Sequence, residues 1–455
     1  MTDWLGLDVY QARNLVGQLH FDPQDERFEF TYAPHWLQSP GSFALSPHLP
    51  KSGGDSPNSG DASSAVVAGF PSGVVRRFIE NLLPEGRGLD AVIGAHKIAK
   101  SNTFGLLRVL GRETAGALSF LPQGTVPEEM PAARRPIEHD ELRARIAERS
   151  QQPFSVWDGR VRLSIAGYQD KIAVCEEAGE LALVDGALSS THILKPEPVD
   201  PRLPHMVANE HFCSSLAGAL GIEAAQASIM RLPEPVLKVQ RFDRVRTKEG
   251  VERLHILDGC QMLDLTSFYK YERPFGSERD VRDIRDGASL PKLFAARNSS
   301  VGPAQFALRL LRWSLLQVLI GNADAHGKNL SCFVTTQGLK LAPAYDLLSA
   351  QAYPGVDQTL AMAVGDEFDS RAVHAYDWAV FAEKCGIARP VVIRELKSMA
   401  AHAPAKARTL LTAPHYTPEE RDTLGAIVSF LEAQAARFIE AAGLLRGVRL
   451  DCVVR

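Results

Sequence analysis

A change of period near Asp264 constrains this chain more than any other feature. Ahead of it, short apolar runs broken by turn residues read mostly as strands. Beyond it, LPKLFAAR, PAQFALRLLRWSLLQVLIG, DWAVFAEKCG, PVVIRELKSMAAHA and ERDTLGAIVSFLEAQAARFIEAAGLL carry apolar residues at helical spacing. At 455 residues the chain is too long for one ordinary core. A sheet-rich region followed by a larger helical one is therefore expected, each with its own interior.

The alternating segment Leu7 to Tyr32 predicts a pair of antiparallel strands joined through Asp22-Pro23-Gln24-Asp25. Lys51 to Ser64 has almost no apolar side chain to bury and reads as a loop. Val74, Val75, Phe78, Ile79 and Leu82 then form one helical stripe, and FGLLRVLGRETAGALSFL returns to strand-like runs broken at Gly111. The expected divisions are a small leading α+β unit (1–123), a connection and helix capped at His139-Asp140 (124–150), a sheet-rich lobe (151–245) and a helical lobe (246–455). In the third of these, MVANEHFCSSLAGALG places Phe212, Leu216 and Leu220 on one helix face and stops at Gly221.

The chemistry is concentrated between Leu315 and Ala350. An apolar helix runs into a polar loop with Asp324, His326, Gly327, Lys328 and Asn329. A hairpin around Gln337-Gly338 follows, and then Tyr345-Asp346. A carboxylate, an amide five positions on, and a second acid beyond a hairpin is the order phosphoryl-transfer enzymes use to position a nucleophile and hold Mg2+. The same spacing also suits a helix end running into a surface loop, with Asp346 capping the next turn. Upstream, Lys195 closes the apolar strand HILKPE, as a phosphate-binding lysine or a surface residue would. The loop Ser164 to Lys171 is neither G-x-G-x-x-G nor a Walker A sequence, and Gln240-Arg241-Phe242 ends a strand where backbone groups can meet an adenine edge.

Taken in order, SIAGYQDK, HILKPE, NEHFCSSLAGALG, VQRFDR, IGNADAHGKN and PAYDLLSA closely resemble the HipA family of serine/threonine kinases, the toxin halves of bacterial HipBA toxin–antitoxin pairs. The leading LGRETAGALSFLP is similar to that family's N-terminal domain. The resemblance implies an α+β, two-lobed protein-kinase-like fold, with a sheet-rich N-lobe, a helical C-lobe and an additional small N-terminal α+β subdomain. It implies ATP and Mg2+, a cytoplasmic and translation-related protein substrate such as an aminoacyl-tRNA synthetase, and a helix-turn-helix HipB-like antitoxin. By motif position, Asp324 would be the catalytic base, Asn329 and Asp346 the metal ligands, and Lys195 the phosphate lysine. The loop Ala166, Gly167, Tyr168, Gln169, Asp170 and Lys171 would cover the phosphates, Gln240, Arg241 and Phe242 would form the hinge, and His326, Gly327, Lys328 and Tyr345 would line the nucleotide site. Ser164 would be the autophosphorylation site whose modification ejects the loop. Tyr168 and Asp170 stand where the commonest form of the loop has Ala and Glu.

A formal charge of −4 gives no general electrostatic reason to bind nucleic acid, so operator DNA is expected to be contacted mainly through the antitoxin. Six scattered cysteines without a C-x-x-C pair argue against a zinc site or a disulfide framework. The start MTDWLGLDVY lacks a signal-peptide pattern, and no apolar run nears the roughly 20 residues of a membrane span. A soluble cytoplasmic protein without membrane contact is expected. Two other readings stay open at this point: a catalytically weak co-repressor acting with a DNA-binding antitoxin, and a small-molecule phosphotransferase on the same architecture.

Overall fold

The computed structural model describes residues 4–51, 69–127, 130–158, 160–162 and 169–450. They form two compact units: Met1–Lys195 with Arg241–Leu257 and Phe333–Leu339, and Pro196–Gln240 with Asp258–Cys332 and Lys340–Arg455. Helix and sheet are mixed, as the α+β expectation requires.

The first unit begins with a four-stranded antiparallel sheet in the order Arg27–Tyr32, Asn14–Asp22, Leu5–Gln11, Leu118–Pro122. Three leading strands stand where a pair was expected. The extra reversal falls at Ala12, held in the left-handed region (φ 49°), which no Gly or Pro announces in the sequence. Leu7, Val9, Val16, Leu19 and Phe120 are buried, but so are Asp8 and Tyr10, so the first strand is covered on both faces and the expected in-and-out alternation does not hold along it. The stripe on Ser72–Glu80 buries Val75, Phe78 and Ile79.

Residues 103–110, expected as strand, are a helix. The Asn102 side chain accepts a bond from the Gly105 N–H at 2.8 Å and so satisfies a donor that a helix start leaves orphaned. Short apolar runs do not separate helix from strand by period alone, and here the cap decides. The next helix, His139–Ala147, takes in both expected cap residues, its cap position falling one residue earlier at Glu138 with no side-chain cap bond.

A second sheet in this unit orders His192–Pro196, Ile172–Glu177, Glu180–Asp185 and Ala133–Pro136 as antiparallel neighbours. The leading subdomain is tied to the chain around residue 241 by buried charge. Asp243 accepts from Arg241 Nε (3.0 Å) and Nη2 (2.8 Å), from Arg244 Nη1 (2.7 Å) and from the Gly116 N–H (2.8 Å). Glu113 accepts from the Ser190 amide and hydroxyl, both at 2.7 Å, and lies 3.4 Å from Arg244. Arg253 donates to the carbonyls of Leu118 and Thr114. Burial alone pushes the Asp243 carboxyl up, but the Arg241 and Arg244 guanidiniums more than offset it and hold it well below the usual range.

The second unit is mainly helical. The helices Met206–Ala219, Pro303–Ile320, Arg389–Leu411 and Pro418–Leu444 pack on one another, with the hairpin Ala227–Leu232/Glu234–Gln240 beside the first. Phe212, Leu216 and Leu220 are buried as the stripe requires. Arg231 holds Glu420, itself nearly inaccessible, through two bonds of 3.1 and 2.7 Å. Among the described residues no helix is long and apolar enough to cross a membrane.

Removing one partner of a buried pair strands the others. Asp243→Asn is therefore expected to lower stability by about 3–5 kcal/mol in urea unfolding. Because its folded pKa is depressed, the wild-type contribution is present above the unfolded value and is lost as pH falls through the folded one. The stability difference between wild type and variant should accordingly shrink in acid.

Candidate active site

The helix Pro303–Ile320 begins with proline at its first position, where a missing N–H costs nothing, and ends at Gly321 in the left-handed conformation (φ 63°). A Cβ at Gly321 would lie 2.4 Å from Gln351 and 2.8 Å from Phe430, so both backbone and space demand glycine there. The next residue, Asn322, is 1% exposed. Its amide oxygen accepts the Asp324 N–H at 3.0 Å, and its amide nitrogen donates to Gln317 Oε1 at 2.9 Å and to the Asp346 carbonyl at 3.4 Å.

Asp324 keeps 49% of its side chain exposed, so a reactant can reach its carboxylate. Its carbonyl accepts the His326 N–H (2.8 Å) and the Asn329 side-chain N–H (2.7 Å). That second bond turns the Asn329 amide oxygen away from the Asp324 carbonyl. The Tyr345 hydroxyl donates to the Lys328 carbonyl at 2.6 Å and accepts from Ser331 at 2.8 Å. Asn209, fully buried on the helix Met206–Ala219, exchanges two 2.9 Å bonds with the Ser349 backbone. Asp346 sits between these anchors in the left-handed region (φ 51°), a conformation that costs a non-glycine residue about 1–3 kcal/mol and persists only where its surroundings impose it. The expected acids and Asn329 are thus brought to segments stitched together by Asn322 and Tyr345.

Other expected residues take structural partners. Lys328 donates to Asp258 at 2.7 Å, both side chains being largely buried, and Asp258 also caps the short helix Gly259–Met262. Gly327 packs against Ala288 and Cys260 with no room for a Cβ. His326 is buried, its Nε2 3.8 Å from Asp324 Oδ1 and its ring edge-on to Tyr271. Tyr271 donates its hydroxyl to Asp324 Oδ1. Sequence reasoning missed Asp258, Tyr271 and Asn322. Only Asn322 had a local signal, since an Asn two residues before an acid often accepts that acid's N–H.

In the first unit, Lys195 is the penultimate residue of the strand His192–Pro196 and is 4% exposed, and Lys171 immediately precedes the strand Ile172–Glu177 and is 3% exposed. The Asp170 carboxylate accepts from the Phe154 and Ser155 amides, and burial raises its pKa against those bonds. Gln169 is half-buried. The Arg241 guanidinium is occupied by Asp243 and Ser190, and its backbone N–H donates to the Thr191 carbonyl at 2.9 Å. Phe242 stacks edge-on with Phe333, while in the second unit the Gln240 N–H bonds the Gln226 carbonyl. Ser164, Ala166, Gly167 and Tyr168 lie outside the described residues.

Residues 7–121 match the HipA N-terminal domain and 163–407 the HipA-like C-terminal domain. The chain belongs to the HipA family. The serine/threonine-protein kinase toxin HipA of Shewanella oneidensis is 36% identical over 450 residues, spanning 98% of this chain and 99% of that protein. The Sinorhizobium fredii protein Y4mE is 33% identical over 414 residues, spanning 89% of this chain and 91% of its own length. A solved complex of Shewanella oneidensis HipA, HipB and operator DNA contains a chain that superposes with a TM-score of 0.85, covering 98% of this chain and all of that one. The HipA-family likeness thus spans both units, and the fold that the resemblance implies is the fold this chain has.

Losing the Asn322 side chain would strip the Asp324 N–H and the Asp346 carbonyl of a partner together. Asn322→Ala is expected to cost about 2 kcal/mol of stability and to speed hydrogen exchange at the Asp324 amide, measured by mass spectrometry.

Proposed function

We propose that this HipA-family chain is an ATP-dependent serine/threonine protein kinase, a toxin neutralised by a HipB-like helix-turn-helix antitoxin. The observation that carries the reading is the Asn329 side-chain bond to the Asp324 carbonyl, with Asp324's own carboxylate left half exposed. In that arrangement the carboxylate accepts the acceptor hydroxyl's proton, while the amide oxygen five residues on is directed elsewhere.

Asn329 and Asp346 suit Mg2+, which favours one or two hard protein oxygens together with nucleotide phosphates over a cage of many side chains. Among the described residues no group of three or more His, Cys, Asp or Glu is gathered as such a cage. When bound, the ion neutralises phosphate charge. Lys195 would supply a point charge to the α- and β-phosphates, and the backbone from Gln240 to Phe242 would meet the adenine edge. Buried Lys328 and Arg241 would act by holding these segments in place.

The acceptor is read as a cytoplasmic, translation-related protein, and operator DNA as contacted through the antitoxin. The Shewanella oneidensis relative, solved with HipB and operator DNA, supports the partnership. Ser164 is assigned as an autophosphorylation off-switch, since nearly two added negative charges beside nucleotide phosphates would repel them.

Incubation with γ-labelled ATP and Mg2+ is expected to label a protein fraction of a bacterial lysate and, by mass spectrometry, Ser164. Asp324→Asn should cut transfer by at least about 1000-fold and relieve growth inhibition on induction. Label passing only to small molecules, or undiminished toxicity in Asp324→Asn, would sink the reading.

A further inference from the structure

The segment between the short helix Gly259–Met262 and the helix Leu290–Ala295 places a hydroxyl on the carboxylate that the proposed reaction uses. Tyr271 donates its phenolic O–H to Asp324 Oδ1. Its ring packs edge-on against His326, centroids 5.0 Å apart, and His326 Nε2 is 3.8 Å from the same oxygen.

The backbone around Tyr271 is clamped. Its neighbour Glu272 donates its N–H to the Ala361 carbonyl (3.0 Å) and accepts the Ala363 N–H on Oε2 (2.8 Å). Arg285 reaches Glu272 Oε1 from Nε at 2.6 Å and ties on to Asp366. On the other side the Gly287 N–H donates to the Glu272 carbonyl (3.2 Å) and the Ala288 N–H to the Tyr269 carbonyl (2.8 Å). A Cβ at Gly287 would lie 1.8 Å from the Tyr271 carbonyl oxygen, so the two strands of this loop touch. Glu272 is nearly inaccessible, which makes its links hard to exchange for water.

A tyrosine on a free loop, bonded to a catalytic carboxylate, would read as a plug that a substrate hydroxyl displaces. Here the backbone on both sides is held by hydrogen bonds and the ring is packed edge-on against His326, so leaving Asp324 would cost that ring contact as well. We infer that Tyr271 is a positioning residue for phosphoryl transfer: its hydroxyl fixes the Asp324 carboxylate in one rotamer, ready for the proton of the acceptor hydroxyl. This rests on the kinase reading above. In the step itself, the acceptor oxygen bonds to the γ-phosphorus, and the bond from that phosphorus to the β–γ bridging oxygen breaks. Its electron pair leaves with ADP, and the acceptor's proton goes to Asp324. Tyr271 keeps its own proton throughout and contacts neither the acceptor nor the phosphates.

A residue that orients the base should affect the rate at saturating nucleotide without affecting nucleotide binding. The test uses the full chain, γ-labelled ATP, Mg2+ and the lysate protein fraction as acceptor. Tyr271→Phe keeps the ring against His326 and removes only the donor. Its transfer rate at saturating ATP is expected to fall about 10- to 100-fold, the usual loss when an orienting partner of a functional group is removed. The KM for ATP should stay within about twofold and the melting temperature close to wild type, because the fold and nucleotide contacts are untouched. Wild-type transfer by Tyr271→Phe, with impairment only in Tyr271→Ala, would overturn the inference by assigning the role to ring packing. A rise in KM or a collapse of stability matching the loss of rate would overturn it as well, leaving a structural residue. A folded wild type that transfers no label at all would refute the kinase reading itself and this assignment with it, an outcome distinct from the other two.

Discussion

Asn322 is where the helical unit becomes chemically organised. The helix before it cannot continue past Gly321, and the amide left behind is too deeply buried to bond water. Its bonds to the Asp324 N–H, Gln317 and the Asp346 carbonyl satisfy that amide and fix both acids. Each such bond adds only about 1 kcal/mol net, but leaving a buried partner unsatisfied costs more, so the arrangement is enforced mainly by what its loss would expose. From this point outward, the Asn329 bond to the Asp324 carbonyl, the Tyr345 bond to the Lys328 carbonyl and the Asn209 clasp on Ser349 repeat the same logic. Neutral amides and hydroxyls hold the backbone, leaving the Asp324 carboxylate half exposed.

The sheet-rich unit is organised by charge. Arg241, Asp243, Arg244, Arg253 and Glu113 form a buried cluster joining the leading subdomain to the chain around the expected hinge. Such clusters contribute little net stability against an apolar alternative, yet breaking one partner is costly. The cluster therefore acts mainly to fix which surfaces meet. It also explains why an arginine expected beside a nucleotide has its guanidinium pointed into protein.

Much of this was legible in order and pattern. The helix before the loop, the hairpin around Gln337-Gly338 and the stripe on Phe212, Leu216 and Leu220 follow from period and turn chemistry. The positions of Asp324, Asn329 and Asp346 came from motif order, and the fold from resemblance. What escaped was decided by contacts distant in sequence or by single backbone angles. Ala12 turns with no turn residue, and Asn102 converts an apolar run into a helix through one side-chain bond. Lys328 finds Asp258 seventy residues away, and Tyr271 finds Asp324 across fifty-three, so neither pairing leaves a local trace.

A half-exposed carboxylate, an oriented amide and a strained acid, held by neutral bonds, together suit phosphoryl transfer onto protein. The most direct test is a comparison of protein phosphorylation sites in cells induced for the wild type and in cells induced for Asp324→Asn at equal abundance. The account predicts serine or threonine sites on a cytoplasmic protein that appear only with the wild type. Identical site lists from the two inductions, with both proteins folded, would contradict it.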